Sequence, residues 1–153
     1  MIVERKGKLD FPLDKGLTYR GVIYIPSTTD RNKKIPANEF NRRINKISRN
    51  ISETFGGNTV QRMGFGNWIG PGDKLVKERI ARIEFFADKD SYLDNDSALG
   101  QLVHKLAKQW GQDAISFEFQ TGKDPNTLHF VPSKREEFLP MIYNSKRRLR
   151  RTI

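Results

Sequence analysis

From Ala37 to Phe55 the apolar side chains fall at Phe40, Ile44, Ile47, Ile51 and Phe55. Spacings of three and four put them on one face of an α-helix. Pro36 suits its first turn and Gly56-Gly57 its stop. Leu99, Leu102, Val103, Leu106 and Trp110 mark a second helical face, with Asp96 or Ser97 as its cap and Gly111 at its end. Residues 114–120 alternate, Ile115, Phe117 and Phe119 pointing inward and Ser116, Glu118 and Gln120 outward. Tyr19 to Ile25 is β-rich and ends at Pro26, which cannot donate to a sheet ladder.

Asn58–Trp68 and Lys74–Ala87 flank the turn residues Gly70, Pro71, Gly72 and Asp73, which predicts a hairpin. Its second arm changes apolar phase between Val76/Ile80 and Ile83/Phe85, so a bulge or strong twist is expected near Ala81. Residues 88–96 read as an acidic loop, and 27–36 as a polar, basic one. TGKDPN and TLHFV extend the last strand into a second hairpin, and residues 134–143 read as a short helix. The domain map is an arm over 1–18, an α+β domain over 19–131 and a basic extension over 132–153.

The order β, α, β-hairpin, α, β over residues 19–120 resembles the ferredoxin-like, or split βαβ, fold. It implies a βαββαβ antiparallel sheet with two helices on one face, here with an extra C-terminal strand and a basic tail. That layout hosts many unrelated functions. Within it, Ile23-Tyr24-Ile25 resembles the first strand motif of the RNA-recognition motif. Residues 62–68, Arg62-Met63-Gly64-Phe65-Gly66-Asn67-Trp68, resemble an altered form of the second. Met63 interrupts the pattern, Asn67 stands where that family has an aromatic, and the segment lies on the first hairpin arm rather than the second.

Charge changes the picture most. The net charge is +10 over 153 residues, with no Cys. Residues 31–49 carry +6 through Arg31, Lys33, Lys34, Arg42, Arg43, Lys46 and Arg49, with Glu39 as the one acid. Residues 144–153 carry +5 through Lys146, Arg147, Arg148, Arg150 and Arg151. Two concentrated basic patches on a near-neutral body suit a polyanion. An anionic membrane surface is the rival partner. The absence of Cys excludes disulfides, a thiol nucleophile and Cys-ligated metal. The charged N-terminus has no apolar signal segment, so an intracellular, cytoplasmic protein is expected.

The candidate chemistry is sparse. Asp88, Asp90, Asp94 and Asp96 lack the Gly and terminal Glu that a calcium loop requires. His104 and His129 form no ligand-spaced pair. The glycines around Phe65 and Trp68 fit neither a P-loop nor a dinucleotide fingerprint. Glu78, Glu84 and Glu118 make an acidic site if they share the sheet's open face; otherwise they pair with Arg79, Arg82 or helix lysines.

The leading expectation is a non-enzymatic, weakly sequence-specific nucleic-acid binder, favouring RNA or single strands, in a larger nucleoprotein assembly. The twelve basic residues of the two patches contact phosphate, and Tyr24, Phe65 and Trp68 stack bases. No metal or cofactor is expected. The alternative is a small-molecule or nucleotide-binding dimer, with or without catalysis, whose pocket lies near Trp68, Trp110 and Glu118. A scaffold or membrane-surface protein is the third reading.

Overall fold

The computed structural model describes residues 16–30 and 33–141. Residues 1–15 of the arm, Arg31 and the tail cations Lys146, Arg147, Arg148, Arg150 and Arg151 lie outside them.

The elements are β1 (Tyr19–Pro26), the short β2 (Thr28–Thr29) and β3 (Lys33–Lys34), α1 (Ala37–Phe55), β4 (Thr59–Ile69), β5 (Leu75–Ala87), α2 (Lys89–Gln109), β6 (Ala114–Gln120), β7 (Thr127–Pro132) and a third helix, α3, over 135–141. Five strands form one sheet in the order β4-β5-β1-β6-β7, with every neighbouring pair antiparallel. Each helix crosses over to a strand two places away, the split βαβ arrangement. The mixed α+β, ferredoxin-like expectation therefore holds.

One sheet face is covered by α1 and α2. Ile23 and Ile25 of β1 meet Ile44, Ile47 and Ile51 of α1, Ile83 and Phe85 of β5, and Val103 and Leu106 of α2, all at 3% exposure or less. Gly21 keeps this packing possible, because a Cβ there would run into the Phe85 ring. α1 stops where Gly56 adopts φ +96, and its amide caps Ser52 O.

Three local expectations need correction. α2 begins at Lys89 rather than near Ser97, because Asp88 caps it by accepting from Ser91 N and Tyr92 extends the buried face by two turns. The acidic stretch is therefore helix, not loop. β5 itself alternates without a break, Val76 and Ile80 standing half-buried on the face opposite Ala81, Ile83 and Phe85, and the irregularity lies in its partner, where β4 carries one extra residue between Arg62 and Phe65. The basic loop over 27–36 contains the β2–β3 ladder, and Thr28 is 1% exposed.

Thr28 belongs to a buried polar knot. Arg43 Nη1 donates to Pro26 O at 2.8 Å and to Thr28 O at 2.7 Å, and its guanidinium stacks 4.8 Å above the Trp110 ring. Gln112 Nε2 donates to Thr28 O at 2.7 Å, and Thr28 Oγ1 donates to Glu78 at 2.6 Å. Burial raises the Glu78 pKa, against the hydrogen bond from Thr28 and the charge of Arg43. A carboxyl whose folded pKa exceeds its unfolded one binds more protons when folded, so stability falls as pH rises between the two values. Glu78→Gln is therefore expected to flatten that fall and raise the unfolding midpoint at pH 7. Thermal melts from pH 4 to 8 test this; a lower midpoint at pH 7 contradicts it.

Candidate active site on the open sheet face

Strand alternation sends Ile23 and Ile25 into the core, so Arg20, Val22 and Tyr24 stand on the face away from the helices. The register then sets their neighbours. Arg82 of β5 lies opposite Tyr24, and Glu84 opposite Val22. Glu118 of β6 lies opposite Val22 on the other side. Three strands thus converge on one charged cluster around a fully buried Val22.

Its bonds are dense. Arg20 Nε donates to Glu84 Oε2 at 2.7 Å, and Arg20 Nη1 lies 3.8 Å from Glu118. Arg82 Nη2 lies 3.7 Å from Glu84, and Arg82 Nη1 donates to Gln61 at 3.2 Å. Arg82 Nε is buried without a hydrogen bond among the described residues. Tyr24 donates its hydroxyl to Glu118 Oε1, and Asn126 Nδ2, from the β6–β7 turn, donates to Glu118 Oε2 at 2.9 Å. The four charged side chains are 18–28% exposed, so their fields are only partly screened.

The electrostatics separate an acid from a base. The hydrogen bonds from Asn126 and Tyr24 hold the Glu118 carboxyl below the usual carboxylate range, helped by Arg20 and Arg82 and opposed by burial. Burial raises the Tyr24 phenol, and so do the bond to Glu118 and its charge. At neutral pH the site presents a fixed carboxylate beside a protonated phenol, two guanidiniums and a second carboxylate. Such a set can grip an anionic group and stabilise a cation at once. Phe86, Leu128 and Phe130 stand exposed around it.

Other predicted site residues are placed elsewhere. Arg43 is 4% exposed in the core, so it cannot reach phosphate. Arg42 and Arg49 are exposed but engaged along α1 with Glu39 at 3.0 Å and Glu53 at 2.9 Å. Lys46, Lys33 and Lys34 are exposed, Lys33 within 3.7 Å of Asp30. Phe65 and Trp68 sit on the β4–β5 hairpin past the last β1–β5 pair, Pro26 with Ile80, and so do not join Tyr24 in one stacking platform. The pocket expected near Trp68, Trp110 and Glu118 does not form, because Trp110 packs in the core and Glu118 faces the other way. A cavity of about 460 Å³ lies instead at the end of α2, lined by Asp30, Lys108, Gln112 and Asp113 among others. It is polar and wide open, and the converging charges of the open face make the stronger candidate site.

Sequence reasoning considered Glu78, Glu84 and Glu118 as a conditional acidic site and Tyr24 as a stacking residue; Glu84 and Glu118 join the cluster, whereas Glu78 is bonded to Thr28. The same reasoning named Arg82 as a pairing partner of these glutamates, which it is for Glu84, and it missed Arg20 and Asn126. The available signal was parity on β1, where Arg20 and Tyr24 alternate with Ile23 and Ile25.

No family model and no curated protein matches the sequence. Among solved structures the fold is similar to a phage SAM lyase in complex with S-methyl-5'-thioadenosine. The TM-score is 0.57 at 14% identity, over 82% of this chain and 96% of that one. A phage SAM lyase in the apo state matches at a TM-score of 0.55 and 14% identity, over 80% and 95%. The expectation of a non-enzymatic nucleic-acid or RNA binder is corrected by this finding, since the fold is matched by an enzyme holding a small molecule. The alternative, a small-molecule-binding domain, fares better. Among the described residues no helix is long and apolar enough to cross a membrane.

Proposed function

We propose that this chain is an enzyme acting on S-adenosylmethionine, a lyase that breaks a carbon–sulfur bond and releases S-methyl-5'-thioadenosine. The observation that carries the reading is the Arg20–Glu84–Arg82 and Tyr24–Glu118 cluster on the open face of a fold matched along nearly the whole length of the phage enzyme.

The chemistry suits those residues. The sulfonium carries a full positive charge, and the departing thioether is neutral. The electron pair of the broken bond stays on sulfur, so the leaving group needs no general acid, and an oxygen of the substrate's own carboxylate supplies the pair for the new bond to the carbon that sulfur leaves, closing a lactone with no further reactant. The site's tasks are orientation and charge balance. Arg20 and Arg82 grip the substrate carboxylate as paired forks. Glu84 and Glu118 face the cationic parts of the substrate, and Tyr24 keeps Glu118 ionised and aimed.

Incubating the full chain with S-adenosylmethionine and following products by chromatography with mass detection tests the reading. S-methyl-5'-thioadenosine is expected to accumulate above the spontaneous rate, and Arg20→Ala to abolish the excess. A chain that forms no product above the spontaneous rate and shows no calorimetric binding of the substrate overturns it.

A further inference from the structure

Beyond Pro26 the sheet loses β1, and the β4–β5 hairpin continues as a bare two-stranded ribbon. Its cross-strand pairs define two faces. Phe65 opposite Arg79, Asn67 opposite Lys77 and Ile69 opposite Leu75 share one face. All six are exposed, with Phe65 at 66%, Ile69 at 63% and Leu75 at 59%. Gly66, Trp68, Val76 and Glu78 share the other, which is half-buried and tied to the body through Glu78 and Thr28. The outward face is thus apolar and cationic. An isolated two-stranded ribbon is marginal in water, and one with three large exposed apolar side chains is a surface awaiting a cover.

The complementary surface lies on the same chain. Asp88, Asp90 and Asp94 are exposed at the start of α2, and Asp90 and Asp94, four apart, share a helix face. It directly follows Ala87, whereas the ribbon begins at Leu75, so the two surfaces occupy opposite ends of β5. From Arg79, the near edge of the hairpin face, the strand runs on to Ala87 before Asp88, roughly 30 Å at ~3.3 Å per residue. They cannot meet within one chain. We propose that the outward face of the hairpin docks head-to-tail on the Asp90–Asp94 face of α2 in a second copy of this chain. Lys77 and Arg79 face the aspartates, and Phe65, Ile69 and Leu75 are covered by the neighbour. The two surfaces differ, so the contact is heterologous and closes by repetition around a ring or by reciprocal exchange. The proposal is independent of the reaction assigned above.

Light scattering coupled to gel filtration tests it on the full chain. The wild type is expected at a multiple of 17.7 kDa. Ile69→Ser with Leu75→Ser, Lys77→Asp with Arg79→Asp, and Asp90→Lys with Asp94→Lys are each expected to raise the half-assembly concentration about tenfold or more. All are surface changes, and circular dichroism checks that each variant folds. Combining the two charge reversals in one chain is expected to restore assembly. A wild type that stays at 17.7 kDa at micromolar concentration, or an oligomer indifferent to all these changes, overturns the proposal. So does a monomer that floats with phosphatidylserine vesicles and loses this with Ile69→Ser and Leu75→Ser, which would assign the face to a membrane.

Discussion

Arg43→Ala is expected to lower the unfolding free energy by about 3 kcal/mol, because it strips a buried charged group from partners that stay buried. Arg43 donates to Pro26 O and shares Thr28 O with Gln112, and it covers the Trp110 ring. Removing it strips a hydrogen bond from each of two buried carbonyls, opens space beside the tryptophan and leaves Glu78 without the cation that lowers its pKa. Arg43→Lys recovers only part of the loss, since an ammonium can neither stack as a plane nor reach two acceptors in a fixed fork. Urea unfolding measures both. A loss below about 0.5 kcal/mol for alanine, the range of an ordinary surface substitution, would show that the knot adds little.

The same residue shows where sequence reading went astray. Arg43 follows Phe40 by three and precedes Ile47 by four, so the helical period places it inside the apolar stripe of α1. Its residue type argued for the wet side, and its basic neighbours made it look like part of a patch. Spacing was the better guide, because a guanidinium can be buried when carbonyls and an aromatic face await it. The long elements were legible for the same reason: the stripe of α1, its glycine stop and the alternation of β6 are local patterns. The start of α2 was not. Four aspartates within nine residues read as loop, whereas Asp88 caps the helix and Tyr92 anchors its first turn.

The open-face cluster was less legible still, since its contacts depend on register between distant strands. Arg20 and Glu84 are 64 residues apart, and Tyr24 and Glu118 are 94 apart. A one-residue slip of β5 against β1 would send Arg82 and Glu84 into the core. The phase change in β5 left that parity open, and the register against β1, with Arg82 opposite Tyr24 and Glu84 opposite Val22, resolves it. Charge concentration, the strongest signal in the sequence, pointed away from this balanced cluster toward the two basic segments.

With S-adenosylmethionine as substrate, Glu118→Gln is expected to lower kcat/KM about 100-fold, the scale of losing one fixed electrostatic group aimed at the reacting charge. The pH dependence makes the test specific to the ionised form. Glu118 is held below the usual carboxylate range first by Asn126 and next by Tyr24, so wild-type kcat/KM stays flat through mildly acidic pH and falls only below the ordinary glutamate value. Asn126→Ala and Tyr24→Phe each remove one donor to the carboxylate. Each is expected to move the acid limb upward, Asn126→Ala by more. Stability follows the same sign. A carboxylate with a lowered folded pKa stabilises the fold above its unfolded value, and this is lost as pH falls through the folded one. The two donor variants should therefore begin to lose stability at a higher pH than the wild type. If Glu118→Gln keeps full activity, or if neither donor variant shifts the limb, the carboxylate is a structural member of the sheet face. The reacting charge would then be met by Glu84, and Glu84→Gln, which leaves the Tyr24–Glu118–Asn126 bonds in place, would carry the 100-fold loss instead.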